Sequence, residues 1–239
     1  MSKFRLSETS QSIAIALAVS VCLILLFYWD LVTFSTTPMS GMSWELQDPA
    51  VSHWVFVPGI KTLQYEVFQN ANFLWSNLRG LGMPMLVNDI QAAPMYPLTL
   101  LLIWLPGDYF WNVFVIVRWV LFAVGAFLLA GRCFRLNPLG AFIFVLTFTF
   151  AVYHARWINH AFLNGMTAGV WYFYFTLISL RRAYPYFLTR DNLGTITGLV
   201  VATYSVVTCG FPEASVVVGI MMGLMFPFFF VAAVKKHHV

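Results

Sequence analysis

Charge is what this sequence has least of. Only 9% of its 239 residues are Asp, Glu, Lys or Arg, against about 25% in an ordinary soluble domain. Cysteine is nearly missing too. Cys22, Cys133 and Cys209 stand far apart with no Cys-x-x-Cys spacing, which excludes a disulfide framework and argues against a zinc site; buried thiols acting as small apolar groups are expected instead. The chain also lacks a P-loop, a His-Glu-x-x-His helix and a Ser-His-Asp set.

What replaces charge is apolar bulk. Hydrophobic residues make up 60% of the chain and aromatic residues 18%, and mean hydropathy is +0.79. One core could not bury that excess, so a soluble globular protein, a disordered tail and a secreted scaffold are all excluded. The composition predicts an all-α, polytopic transmembrane bundle forming a single domain over 1–239. The net charge of +4 does not point to nucleic acid, because Lys and Arg sit in small groups between apolar runs, as topology charges do.

Apolar runs cover 12–34, 95–106, 109–131, 138–155, 161–180, 193–209 and 214–234. Lys3 and Arg5 precede the first run, with no small-residue cleavage site after it, which reads as an uncleaved signal anchor. Arg132 and Arg135 follow the third run; Arg181, Arg182 and Arg190 follow the fifth; Lys235 and Lys236 follow the last. These basic groups share one side only if the run at 95–106 does not cross. That run lies between Pro94 and Pro106, contains Pro97, and is too short for a hydrocarbon core roughly 30 Å thick. The expectation is six spanning helices with both termini cytoplasmic, in an inner (plasma) membrane, plus a re-entrant or juxtamembrane helix in a large first external loop over about 35–108. Membrane lipids are the expected surroundings.

Within that loop, apolar positions recur at near-helical spacing from Ile60 to Leu74, with Lys61, Gln64, Glu66, Gln69 and Asn70 assigned to the other faces. This predicts an amphipathic helix on the membrane surface. Gly80, Gly82 and Pro84 then demand a tight turn.

Four stretches here carry a resemblance: Trp75-Ser76-Asn77, Gly80-Leu81-Gly82-Met83-Pro84, Gln91-Ala92-Ala93 and Tyr96-Pro97-Leu98, with Asn88 between them. Together with Asp48-Pro49 and Gly210-Phe211-Pro212-Glu213, they resemble YfhO-like bacterial membrane proteins of the glycosyltransferase C superfamily. The resemblance covers most of the chain from about residue 12 to 234. Such proteins are longer, so the chain is expected to correspond to their N-terminal module.

The resemblance implies a glycosyltransferase acting at the external face on a polyprenyl-phosphate-linked sugar, with a divalent cation as one option for its cofactor. It implies an acidic residue in the first external loop that acts on the acceptor or helps hold a metal. Asp48 is the first candidate and Glu45 the second, with Asp89 a further acid; a helix N-cap before Pro49 is the alternative role for Asp48. An acceptor hydroxyl must shed a proton as it attacks the anomeric carbon, and the departing lipid phosphate needs positive charge beside it. Arg156, flanked by His154 and His160, breaks the positive-inside pattern and is the candidate phosphate or lipid-head contact, with His160 beside it; a snorkelling Arg is the alternative.

Two further charges stand out. Arg118 lies mid-span, where a charge costs at least roughly 2.5 kcal/mol and seldom faces lipid, so it is expected to pair with Asp30 or another carboxylate, or with a missing segment. Glu213 opens the last run, where a carboxylate suits a helix N-terminus. The competing reading is a non-catalytic membrane subunit or remnant that packs against another membrane protein, and a small-solute transporter is a third.

Overall fold

The computed structural model describes residues 2–34, 57–70, 75–76, 83–84, 93–150, 162–182, 192–210 and 212–237. Among the described residues the protein is all-α, apart from one antiparallel pair of two-residue strands. In chain order the elements are α1 (Ser2–Phe27), α2 (Trp29–Val32), α3 (Val57–Asn70), β1 (Trp75–Ser76), β2 (Met83–Pro84), α4 (Pro97–Leu102), α5 (Gly107–Leu128), α6 (Pro138–Thr149), α7 (Phe162–Arg182), α8 (Leu193–Val207) and α9 (Pro212–His237). Trp75 pairs with Pro84 and Ser76 with Met83, so the two strands bracket the Gly-rich stretch expected to turn.

Proline sets several of the starts. Pro97, Pro138 and Pro212 each open a helix, where the missing N–H costs nothing and the fixed φ suits the first turn. Asn137 caps α6 by accepting the Gly140 N–H at 2.7 Å. After Leu128, α5 widens into a π-helical turn over Leu129–Cys133 before the chain reverses. The run at 95–106 is helical only over the six residues of α4, about 9 Å at 1.5 Å per residue. Among the described residues one helical stretch, Tyr109–Cys133, is long and apolar enough to cross a membrane, with mean hydropathy 2.5. Ala14–Phe27, Pro138–Thr149, Leu193–Val207 and Pro212–Leu224 are shorter apolar helices.

Helix α7 is the hub, packing on α5, α8 and α9, while α1 and α6 close on the other side of α5. Small residues permit the tightest approaches. Gly165 and Gly169, four apart on one face of α7, receive Ala214 and Val218 of α9, and Gly198 of α8 lies flat against the Phe175 ring.

The long helices α1, α5, α6, α7, α8 and α9 alternate in direction along the chain, so their ends sort into two groups. Phe27 at the end of α1 meets Phe150 at the end of α6; Phe34 meets Tyr109 at the start of α5; Asn164 near the start of α7 meets Cys209 beyond the end of α8. This is the aromatic end. The opposite ends of α1, α5, α7 and α9 are the ones carrying Lys3 and Arg5, Arg132 and Arg135, Arg181 and Arg182, and Lys235 and Lys236.

The outward faces are not polar. Leu101 is 70% exposed and Trp104 68%, and Val207, Val216, Ile220 and Leu224 are exposed as well. Cys133 and Cys209 are buried, but Cys22 is exposed on α1, against the expectation of three buried thiols.

Candidate functional site

The aromatic end contains a core built from four distant parts of the sequence. Ile60 and Leu63 of α3, Ala93, Tyr96, Leu98 and Ile103 around α4, Phe110 and Phe114 of α5, and Cys209, Ala214 and Val218 at the α8–α9 junction form one buried cluster. Gln64 fixes α3 to α4 by donating from Nε2 to the carbonyl oxygens of Ile103 at 3.1 Å and Leu105 at 2.8 Å. Ile103 is the C-cap of α4 and Leu105 lies in the turn that follows, so Gln64 satisfies carbonyls just past the helix end. On the outside, Phe68 packs edge-to-face on Trp104 with centroids 5.2 Å apart.

Helix α3 forms close to where the periodicity predicted it, but with one polar position reversed. Glu66, assigned above to a solvent face, is fully buried, while Tyr65 and Phe68 are exposed. Its Oε2 accepts from Asn70 Nδ2 at 2.6 Å, a short bond. The sequence held a signal for this: Glu66 is three and four residues beyond Leu63 and Thr62, so it shares their buried face.

Beneath this core lies Arg118, 2% exposed. A guanidinium this deep must spend its donors on the protein. Nη1 donates to Asn164 Oδ1 at 3.0 Å, and the Phe114 ring lies 5.4 Å from its central carbon, a cation–π contact. Asn164 Nδ2 in turn donates to the Cys209 carbonyl at 3.1 Å. Asp30, offered above as a partner, is exposed on α2, and the bond seen here is to a neutral amide 46 residues downstream. The Tyr96 hydroxyl is buried near the same guanidinium. Burial pushes its pKa well above the ordinary phenol value, and the positive charge of Arg118 opposes that only in part, so Tyr96 stays neutral.

Beside Tyr96 opens an apolar groove of about 410 Å³, lined by residues of α4, α5, α7 and α8 including Leu98, Leu121, Trp171, Phe175 and Ala202. Two of its polar groups are already engaged: Ser205 Oγ donates to the Val201 carbonyl at 2.7 Å and Trp171 Nε1 to the Leu121 carbonyl at 3.0 Å. Such a lining suits a hydrocarbon chain and offers little to a polar ligand.

The predicted site residues divide as follows. Arg118 is buried beneath the core. Glu213 is exposed in the first turn of α9, one residue before the buried Ala214 of that core. Asp48, Glu45, Asp89, Arg156 and His160 lie outside the described residues. Asn164, Glu66, Gln64 and the groove were not among the expectations. Among the described residues no group of three His, Cys, Asp or Glu side chains could hold a metal ion. Set against known proteins, the chain matches no protein-family model, no curated protein and no solved structure.

Proposed function

We propose that the chain is a polytopic membrane protein of the bacterial inner membrane, YfhO-like in kind, that transfers sugar from a polyprenyl-phosphate carrier at the external face. One observation carries this reading. Ala93 and Tyr96 from the first resemblance block and Cys209 and Ala214 flanking the second, more than a hundred residues apart, are packed into one core. Blocks that resemble one family's motifs and meet in space are what a shared site requires.

Several features support the membrane setting. Large apolar side chains cover the outward faces, which suits lipid and is rare on a soluble monomer. Phe34, Tyr65, Phe68, Trp104 and Tyr109 sit exposed toward one end, as an interfacial belt does, while the helix ends bearing Lys and Arg sort to the other. Six crossings with both termini cytoplasmic fit that polarity, with α4 at the external interface.

In this reading the groove beside Tyr96 seats part of the carrier's hydrocarbon chain. Asp48 takes the proton from the acceptor hydroxyl as its oxygen attacks the anomeric carbon, and the sugar–phosphate bond breaks with its electrons leaving on the lipid phosphate. Arg156 and His160 hold that phosphate as its charge grows. Arg118 no longer argues for a docking partner, because it is buried and bonded within the chain.

The test is turnover of a polyprenyl-phosphate-linked sugar by the purified chain in lipid nanodiscs. Replacing a general base typically costs 10²–10⁴-fold, so Asp48→Asn should lose roughly that. Full activity of Asp48→Asn would remove Asp48 from the mechanism, and an intact wild-type chain without turnover would remove the transferase reading.

A further inference from the structure

We propose that Asn164 is a positioning residue whose carboxamide ties the turn carrying Glu213 to the buried Arg118 guanidinium. The proposal rests on the reading above in one respect, namely that the 210–213 block, which contains Glu213, belongs to the shared external site.

The side chain is 3% exposed and is bonded at both ends, to Arg118 through Oδ1 and to the Cys209 carbonyl through Nδ2. Its orientation is dictated by its partners: a guanidinium can only donate and a carbonyl can only accept, so neither end can be exchanged. The next residue completes the hold. Gly165 leaves room for Ala214, and a Cβ there would overlap Ala214 and press on Cys209 Sγ at 3.3 Å. From the far side Ser215 Oγ donates to the Val206 carbonyl at 2.6 Å. Gly210 turns the chain between these points with φ 83°, a conformation glycine adopts without penalty.

The consequence is directional. Backbone on both sides of Glu213 is fixed to α7, and α7 is fixed at that level to Arg118 on α5. Glu213 itself is exposed, so its side chain reaches outward while its Cα is held. Arg118 thus acts on the turn from inside the bundle, through one amide.

Two substitutions separate the halves of this clamp. Asn164→Asp still accepts from Arg118 but sets a carboxylate against the Cys209 carbonyl. Asn164→Leu, close in size, makes neither bond. The experiment uses the full chain in nanodiscs with Cys22→Ser and Cys133→Ser, so that N-ethylmaleimide reports on Cys209 alone, which is fully buried. Losing a buried hydrogen bond is worth about 1.4 kcal/mol, so both variants should label about 10-fold faster. Arg118→Lys, which keeps a donor, should stay protected, and Arg118→Met should not.

In the transfer assay Asn164→Asp should lower kcat about 10-fold with KM nearly unchanged, the signature of a lost transition-state contact. Wild-type labelling in both Asn164 variants overturns the clamp; if Asn164→Leu fails to fold, Asn164→Asp and Arg118→Met decide it. Fast labelling with unchanged kcat overturns the positioning role. Fast labelling with no turnover even in the wild type upholds the clamp and removes the transferase reading instead.

Discussion

The close approach of α7 to α9 gives the sharpest stability prediction. Alanine at position 165 of α7 would place its Cβ well inside van der Waals contact distance of Ala214 Cβ and 3.3 Å from Cys209 Sγ, where carbon pairs prefer about 3.5–4.0 Å. Neither neighbour can swing aside, because one is a Cβ on α9 and the other is buried. The helices must part, and overpacking of this kind costs roughly 1–3 kcal/mol. An overlap this deep falls at about 2–3 of that range, and replacing a helical glycine by alanine returns up to about 1 kcal/mol, leaving a net loss of about 1–2. At about 2–4 °C per kcal/mol for a chain this size, Gly165→Ala should melt about 2–8 °C lower. Gly219 on α9 is the internal control, since a Cβ there meets nothing within 4 Å; Gly219→Ala should gain about 0.5–1 kcal/mol. Thermal unfolding in one detergent, followed by circular dichroism, measures both. If Gly165→Ala melts at or above the wild type, alongside Gly219→Ala, then α7 and α9 are not in close contact and the clamp at Asn164 loses its neighbour.

Gln64→Ala removes both bonds to the Ile103 and Leu105 carbonyls; at about 1 kcal/mol per bond, hydrogen exchange in α3 should speed by roughly tenfold or more while α5 is unaffected, and unchanged exchange would show that α3 is held by apolar contacts alone. Tyr96 supplies a pH dependence. Its folded pKa is raised above the ordinary 10.0, so the unfolded chain loses its proton first, and the stability Tyr96 contributes is complete below pH 10 and falls as pH rises above it. The melting temperature should therefore decline above pH 10 more steeply in the wild type than in Tyr96→Phe, and parallel declines would mean the hydroxyl is not buried in solution.

How far the sequence could be read depended on what each signal measures. Helical periodicity located α3 to within a few residues, but it sorts apolar from polar, and that sorting presumes a watery outside. Here Tyr65 and Phe68 face outward and Glu66 faces the core, so the period was right and the face at Glu66 was not. A charge inside an apolar run placed Arg118 in the interior, since no other location is tolerable. Its bond to Asn164 was not legible, because a contact between α5 and α7 depends on how the helices pack. The spacing of Gly165 and Gly169 was visible as small residues four apart, a cue for close helix approach, yet only the fold shows that α9 fills it. The short helix at 97–102 was readable from its prolines. The groove was not, since it forms between four helices whose individual sequences look merely apolar. Asp48, Glu45, Asp89, Arg156 and His160 rest on the resemblance and on charge placement.

The central claim is that the resemblance blocks and Glu213 share one external face, and topology tests it directly. Single cysteines at Asp108, Glu213 and Lys235, in a background free of the native thiols, can be treated in intact cells with a membrane-impermeant maleimide. Positions 108 and 213 should react from outside, and 235 only after permeabilisation. Labelling of 108 and 213 from opposite sides, or of both only from the cytoplasm, would contradict it.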